Sequence, residues 1–449
     1  SSGDRLGFNT TNYVIALPNG NYIVQSPMWD NGTITDAGAI TLCNGGGGTV
    51  GIITVSNSLI GSTMNDHVGG KLVSILSNGN YVAATPEWDN GTIEDVGAVT
   101  WGSSITGTVG VISASNSLIG STAGDFVGGH FSDVIDYIKI LSNGNYVVIS
   151  PDWDNGLVVD AGAATWGNGT TGIKGVVSTA NSLYGSVDRR IGYAHTLSNG
   201  NYIVYSTSAM TWSNGTTGIT GGVTPANSFY GADNNVVELT NGNYVIVSPD
   251  WSNDVYSLFA GAVTWGNGTS GITGSINPFN SILGTKEHDN LGSGGVVPLA
   301  DGNYVVISPN WDNEEVTNAG WVGYQTQPPE IAEVTINEQM LFNAMKSYWK
   351  GNINIVLPDI QPSAILMTIG FTDNAIATVH MNLSTTNGVV VVSLDSINFQ
   401  QGYTLSHEAT IQQELTPLFL SAMNDLLGNF TSLLQLTLNQ QEMVFSLLP

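Results

Sequence analysis

Basic residues are scarce in this sequence: nine Lys and Arg stand against 35 Asp and Glu in 449 residues, a formal net charge of −26. Nucleic-acid binding draws its affinity from clustered Lys and Arg that displace phosphate counterions, and the chain has no such cluster. An anionic bilayer repels it for the same reason. Cysteine is nearly missing as well. Cys43 stands alone, so no disulfide framework can form. It lies in TLCNG, in the slot that Gly102, Gly167 and Gly266 fill in TWGNG-like stretches, which reads as drift within a repeat rather than as a nucleophile. The six His, at 67, 130, 195, 288, 380 and 407, share no metal-ligand spacing. No G-x-S-x-G, phosphate loop or paired-carboxylate motif stands out, so no catalytic residue is assigned and no enzyme is expected. No membrane-spanning run and no signal peptide is found.

What the sequence does have is a repeat. N-G-N-Y recurs at Asn19, Asn78, Asn143, Asn199 and Asn241, and as D-G-N-Y at Asp301, at intervals of 59, 65, 56, 42 and 60 residues. A period of this length fixes the architecture before any other reading. Asn-Gly between two apolar runs is a strong hairpin signal, and a two-residue type I′ turn places the residue two before Asn opposite the Tyr two after Gly. Six Leu-Tyr pairs are then expected to form a repeated core: Leu17/Tyr22, Leu76/Tyr81, Leu141/Tyr146, Leu197/Tyr202, Leu239/Tyr244 and Leu299/Tyr304.

The second strand of each unit is apolar on both faces, as in Tyr146–Ile149, which implies cover on both sides. A third strand follows at Ala161–Trp166, and a fourth at Ile173–Ser178 with the NSLYG tail. Four short antiparallel strands per unit describe a propeller blade, and an open solenoid is the rival. The expected fold is therefore mainly β: a six-bladed β-propeller over residues 1–324, a linker at 325–330 and a small α+β domain at 331–449.

The linker, QTQPPE, carries paired prolines that suit neither helix nor ladder. Beyond it, Thr335-Ile-Asn-Glu338 reads as a capping box that opens a helix through about Trp349, and a second helix is expected near 408–428. Strands are expected at 353–357, 364–371, 375–384, 388–398, 431–438 and 442–448. The opening SSGDRLG matches GSTMNDHVG and GSTAGDFVG, so the chain is expected to begin inside a repeat.

Three sets of side chains could carry chemistry. The WDNG loops hold Asp30 and Asp36, Asp89 and Asp95, Asp154 and Asp160. Carboxylates in a Gly-containing loop suit calcium, but they equally suit an Asx-type turn bonded to its own backbone, and calcium is then expected to add little stability. No other cofactor is indicated. A second series of acids, Asp4, Asp66, Asp125, Asp188 and Asp289, has no partner base, which points to turn or blade-to-blade hydrogen bonding. Trp101, Trp166, Trp212 and Trp265, with Trp29, Trp88, Trp153, Trp251 and Trp311, suit either sugar stacking or packing between blades. N-x-S/T sequons fall mostly in the repeated N-G-T turns and mark exposed loops.

The wording NGNYVV-SP-WDNG, AGAVTWGNG and VS-NSL-GS resembles a tandem repeat family of large bacterial surface proteins, including haemagglutinin-like ones. That resemblance implies an extracellular, non-catalytic array at the cell surface. The C-terminal order of elements is similar to small domains on bacterial envelope lipoproteins. Two functions follow as expectations. One is a structural or interaction protein that builds or decorates a surface layer, sheath or filament, through self-association or contact with other surface proteins. The other is a lectin-like propeller or adhesin that binds glycans, with a C-terminal domain for an apolar ligand or partner.

Overall fold

The computed structural model describes most of residues 13–326, apart from 72, 130–136, 234, 253–257, 278–279 and 314–315, together with strands lying between 333 and 447. The fold is mainly β and propeller-like, with six small sheets, one per repeat. The chain divides by internal packing into two compact units. One comprises Ser1–Asn234, Thr240–Tyr244 and Gly266–Gly274; the other comprises Asn235–Leu239, Val245–Trp265 and Ser275–Pro449.

The third repeat shows how a sheet is made. Its strands are Ile138–Ile140, Tyr146–Ser150, Ala163–Gly167 and Ser182–Tyr184, each antiparallel to the one before. Tyr146–Ser150 is buried along its whole length, as are its counterparts Tyr81–Thr85, Tyr202–Ser206 and Tyr244–Ser248. This matches a strand covered on both faces. In the first and sixth repeats the same strand alternates between buried and half-buried residues. A buried hydroxyl pair, Thr165 Oγ1 to Ser182 Oγ at 2.7 Å, ties the third strand to the fourth. Thr41–Ser58, Thr100–Ser117, Thr211–Ser228 and Thr264–Ser281 repeat it at 2.6–2.7 Å.

The Asn-Gly turn departs from expectation by one residue. In the first repeat the Gly20 N–H donates to Leu17 O, and the Leu17 N–H to Asn21 O. Gly20 has φ of 87° while Asn19 keeps a negative φ. The turn is therefore type I followed by a left-handed Gly, a three-residue loop rather than a two-residue type I′ one. Type I′ would force Asn into positive φ as well, whereas here Gly alone carries it and Pro18 sits in the position it favours. The Asn19 side chain stabilises the loop by accepting the Asn21 N–H at 3.0 Å.

As a result Tyr22 lies opposite Ala16, and Tyr81, Tyr146, Tyr202 and Tyr304 lie opposite Ile75, Ile140, Thr196 and Pro298. The expected cross-strand pairs Leu17/Tyr22, Leu76/Tyr81, Leu141/Tyr146, Leu197/Tyr202 and Leu299/Tyr304 are thus one residue out of register. Leu17, Leu76, Leu141, Leu197 and Leu239 are buried, and so are Tyr81, Tyr146, Tyr202, Tyr244 and Tyr304. Leu299 and Tyr22 are half-buried.

The stretch taken as a single fourth strand is in fact two. Ser182–Tyr184 completes its own sheet, whereas Gly175–Val176 crosses to the preceding repeat and pairs in parallel with Leu118–Ile119. Gly110–Val111, Gly221–Gly222 and Gly274–Ser275 do the same for the sheets of repeats one, three and four. The next apolar residue, Ile112, Val177, Val223 or Ile276, is buried as the anchor of the crossing. Burying each anchor is worth about 1.5–3 kcal/mol. The first four sheets thus have five strands, the fifth being donated by the next repeat; the fifth sheet has four and the sixth three.

In the C-terminal region Ile353–Ile355, Ala364–Phe371, Ile376–Thr386 and Val389–Gln401 form one antiparallel sheet, joined by Asp359–Gln361. Glu333–Asn337, Glu442–Leu447 and Leu434–Asn439 form another. Thr335, expected as a helix cap, is a strand residue opposite Val444, so no helix begins there. The helices expected through Trp349 and at 408–428 lie outside the described residues, as does most of the 325–330 linker.

Candidate functional site

The polar side chains that recur in the repeats converge on the boundary between one repeat and the next. They start from the WDNG loop. Asp30, Asp89 and Asp154 each accept, through Oδ1, the N–H of the residue six further on: Asp36 at 3.0 Å, Asp95 at 2.7 Å and Asp160 at 2.8 Å. Asp312 holds Asn318 in the same way at 2.7 Å. The residues so held have φ of 51–53°, a left-handed conformation that Asp and Asn tolerate better than most residues. A Gly two positions on, at 38, 97, 162 or 320, also takes positive φ.

This is an Asx-type loop closure. Among the described residues no three His, Cys, Asp or Glu are grouped to hold a metal. Because a backbone N–H already engages Oδ1 of each of these loop carboxylates, adding calcium after chelation is expected to move the melting temperature by less than about 1 °C, where a saturated site stabilises by several degrees. Differential scanning fluorimetry with and without chelator measures this, and a shift of many degrees would restore the loop carboxylates as ligands.

Asp66, Asp125 and Asp289 are fully buried. Asp125 Oδ2 accepts the N–H groups of Ser121 and Thr122 at 2.7 and 2.8 Å, which closes its own turn. Its Oδ1 accepts the Asp154 N–H at 3.0 Å, from the WDNG loop of the next repeat. Asp66 holds Ser62, Thr63 and the Asp89 N–H in the same pattern, and Asp289 holds Thr285, Lys286 and the Asp312 N–H. Burial pushes the Asp66 and Asp125 carboxyls up from the ordinary range, and the N–H groups pull against it.

Asp188 is exposed. Its turn is one residue shorter, so that Arg189 stands two before the buried Ile191 as Asp66 and Asp125 stand before Val68 and Val127, and the fourth repeat, which follows, has no WDNG loop. Asp4 lies outside the described residues.

At the other end of the repeat one carbonyl oxygen gathers three donors. Gly169 O accepts from Asn78 Nδ2 at 2.8 Å, Asn80 Nδ2 at 3.0 Å and Trp101 Nε1 at 3.0 Å, all from the preceding repeat. Gly215 O takes Asn143, Asn145 and Trp166, and Gly268 O takes Asn199, Asn201 and Trp212. The indoles are also packed. A Cβ added at Gly172 would lie 2.6 Å from Trp101 Cβ, and Gly218 and Gly271 abut Trp166 and Trp212 equally closely. These three Trp are joints between repeats. Trp88 and Trp153 are buried.

The second acid series and the N-G-N-Y Asn residues thus meet at one kind of boundary. The convergence of Asn and Trp on a single carbonyl left no trace in the sequence beyond the recurrence of N-G-N and W-G-N-G, because the acceptor is backbone. Among the described residues no helix is long and apolar enough to cross a membrane. Comparison with known families finds a match to a repeat of unknown function (DUF5650) at residues 16–70, 75–129, 140–192, 196–236, 238–293 and 298–328. No curated protein matches the chain.

Proposed function

The chain belongs to the family described as a repeat of unknown function (DUF5650), and from that premise we propose that it is a non-catalytic structural or interaction protein of the bacterial cell exterior. In this reading the array builds or decorates a surface layer, sheath or filament by self-association or by contact with other surface proteins. One observation carries it: the recurring Asp, Asn and Trp side chains are used to join one repeat to the next. A protein whose polar groups are committed to its own joints is suited to making a rigid array. The reading that the Trp series stacks sugars draws no support from Trp101, Trp166 and Trp212, whose N–H groups are bonded and which abut Gly of the next repeat.

Light scattering on the purified chain, with and without residues 1–10, tests the proposal. Mass that grows with protein concentration is the expected result. A monodisperse monomer in both forms, across salt and concentration, would overturn self-association.

A further inference from the structure

Asn-Gly is a dipeptide prone to change its own covalent structure, because no side chain on Gly hinders attack by its backbone nitrogen on the Asn amide carbon. The chain is rich in this pair, and the structure sorts the copies into two environments. Asn78, Asn143 and Asn199 open N-G-N-Y turns. There the Gly79, Gly144 and Gly200 N–H groups donate to Leu76, Leu141 and Leu197 O at 2.9–3.0 Å, and all three Gly are buried. Both ends of each Asn amide are engaged too. Asn78 Nδ2 donates to Gly169 O at 2.8 Å, and its Oδ1 accepts the Asn80 N–H at 3.0 Å. Asn143 and Asn199 repeat both bonds. The pairs at Asn168, Asn214 and Asn267 are held as firmly, since the Gly169, Gly215 and Gly268 N–H groups donate to Oδ1 of Asn145, Asn201 and Asn243 at 2.9–3.0 Å.

The WDNG loops differ. Asn90 and Asn155 each close a tight hairpin by exchanging backbone bonds with Ile93 and Val158 at 3.0–3.3 Å. Among the described residues the Gly91 and Gly156 N–H groups meet no acceptor, and both Gly are exposed. Nor does either Asn side chain make a hydrogen bond there. Asn31 is a mixed case, because its Nδ2 donates to Gly61 O at 3.3 Å.

We propose that Asn90 and Asn155 are sites of self-modification, at which the chain converts asparagine to isoaspartate and aspartate without an enzyme. Gly91 N, on losing its proton to hydroxide, attacks Asn90 Cγ. The N–Cγ bond forms, the Cγ–Nδ2 bond breaks, and ammonia leaves with a proton taken back from water. Water then opens the succinimide ring at either carbonyl. The net change is one water taken up and one ammonia released, with no oxidation. Gly156 and Asn155 react in the same way.

The position of these sites gives the chemistry a consequence. Asp89, next to Asn90, has its N–H held by Asp66 Oδ1 of the preceding repeat at 3.0 Å, and Asp154, next to Asn155, is held by Asp125 at 3.0 Å. Isoaspartate routes the main chain through the side-chain carbon, one atom longer, beside each of these joints. Either product adds negative charge to a chain already at −26. Ageing therefore reaches the boundaries between repeats first, whatever the array assembles with.

The full chain, incubated at mildly alkaline pH in heavy-oxygen water and mapped by tandem mass spectrometry, provides the test. Label and isoaspartate are expected at Asn90 and Asn155 at least about tenfold faster than at Asn78, Asn143 and Asn199, where buried hydrogen bonds must break before reaction. The same chain in concentrated urea keeps the dipeptides but loses the fold, and the gap between the two classes should then close. Equal rates for the two classes in the folded chain would overturn the proposal. So would a folded chain that leaves Asn90 and Asn155 intact over a period in which the urea-treated chain converts them. A gap that persists unchanged in urea would assign the difference to local sequence rather than to the hydrogen bonds, and would overturn it equally.

Discussion

Raising the pH above 10 should unfold this protein cooperatively, with the main loss between about pH 11 and 12. Five repeat tyrosines, at 81, 146, 202, 244 and 304, are buried. Burial pushes Tyr81 and Tyr146 up to about 12 from the ordinary 10.0, and pushes Tyr202, Tyr244 and Tyr304 higher still. The N–H groups of Thr108 and Ile173 pull the first two in the other direction, but an oxyanion inside a sheet stack lacks water, and the loss of hydration wins. The folded pKa lies above the unfolded one, so the stability these groups contribute is complete below pH 10. It is lost as pH rises through the folded value.

Each tyrosine then removes about 1.4 kcal/mol per pH unit, and five together remove about 7. A domain holding about 5–15 kcal/mol cannot survive two such units. Circular dichroism and absorbance at 295 nm, followed together, provide the measurement. The share of the absorbance change due to these five should appear only as the dichroism is lost. Ionisation of all 16 tyrosines with the dichroism intact would show that the rings are not held as described.

Those tyrosines also show how far the sequence could be read. N-G-N-Y marked each repeat, and two apolar faces on the following strand implied sheets covered on both sides. Repeats two to five have that burial. Runs long and β-branched enough to decide themselves were legible even in the C-terminal region: residues 364–371 were expected as a strand and form one, Ala364–Phe371. Register was not legible, because Asn-Gly is compatible with two turns. The choice between them depends on whether Asn must enter positive φ, and the three-residue loop spares it.

The crossing strand was hidden for a different reason. Gly175–Val176 is two residues long and carries no periodicity, and its partner is a repeat away. Thr335-Ile-Asn-Glu338 shows the opposite failure, a local helix signal overridden by a tertiary strand pairing with Val444. The second acid series was legible as hydrogen bonding. What the sequence could not say is that an acid in one repeat answers to a loop in the next. Asp188 lies outside that rule, because Arg189 fills the corresponding place before Ile191.

The rule has a quantitative consequence. Asp125→Ala should cost about 3–6 kcal/mol, and Asp188→Ala, at an exposed position of a shorter turn, less than about 0.5 kcal/mol. At Asp125 the carboxylate accepts three backbone N–H groups, from Ser121, Thr122 and Asp154, at a site from which water is excluded. Removing it leaves three donors without a partner, each worth about 1–3 kcal/mol. Alanine cannot replace them, and the turn cannot relax far: a Cβ placed at Gly120 would lie 2.3 Å from Val96 O.

The Asp154 bond joins the second repeat to the third, so the damage falls on a boundary rather than on one sheet. An array held together by neighbour-to-neighbour terms is expected to lose cooperativity there. Urea unfolding of the two variants beside the parent provides the test, with the Asp125 variant also broadening or splitting the transition. Equal midpoints for the two variants, or a loss below about 1 kcal/mol at Asp125, would mean that the carboxylate closes its turn without binding the repeats together.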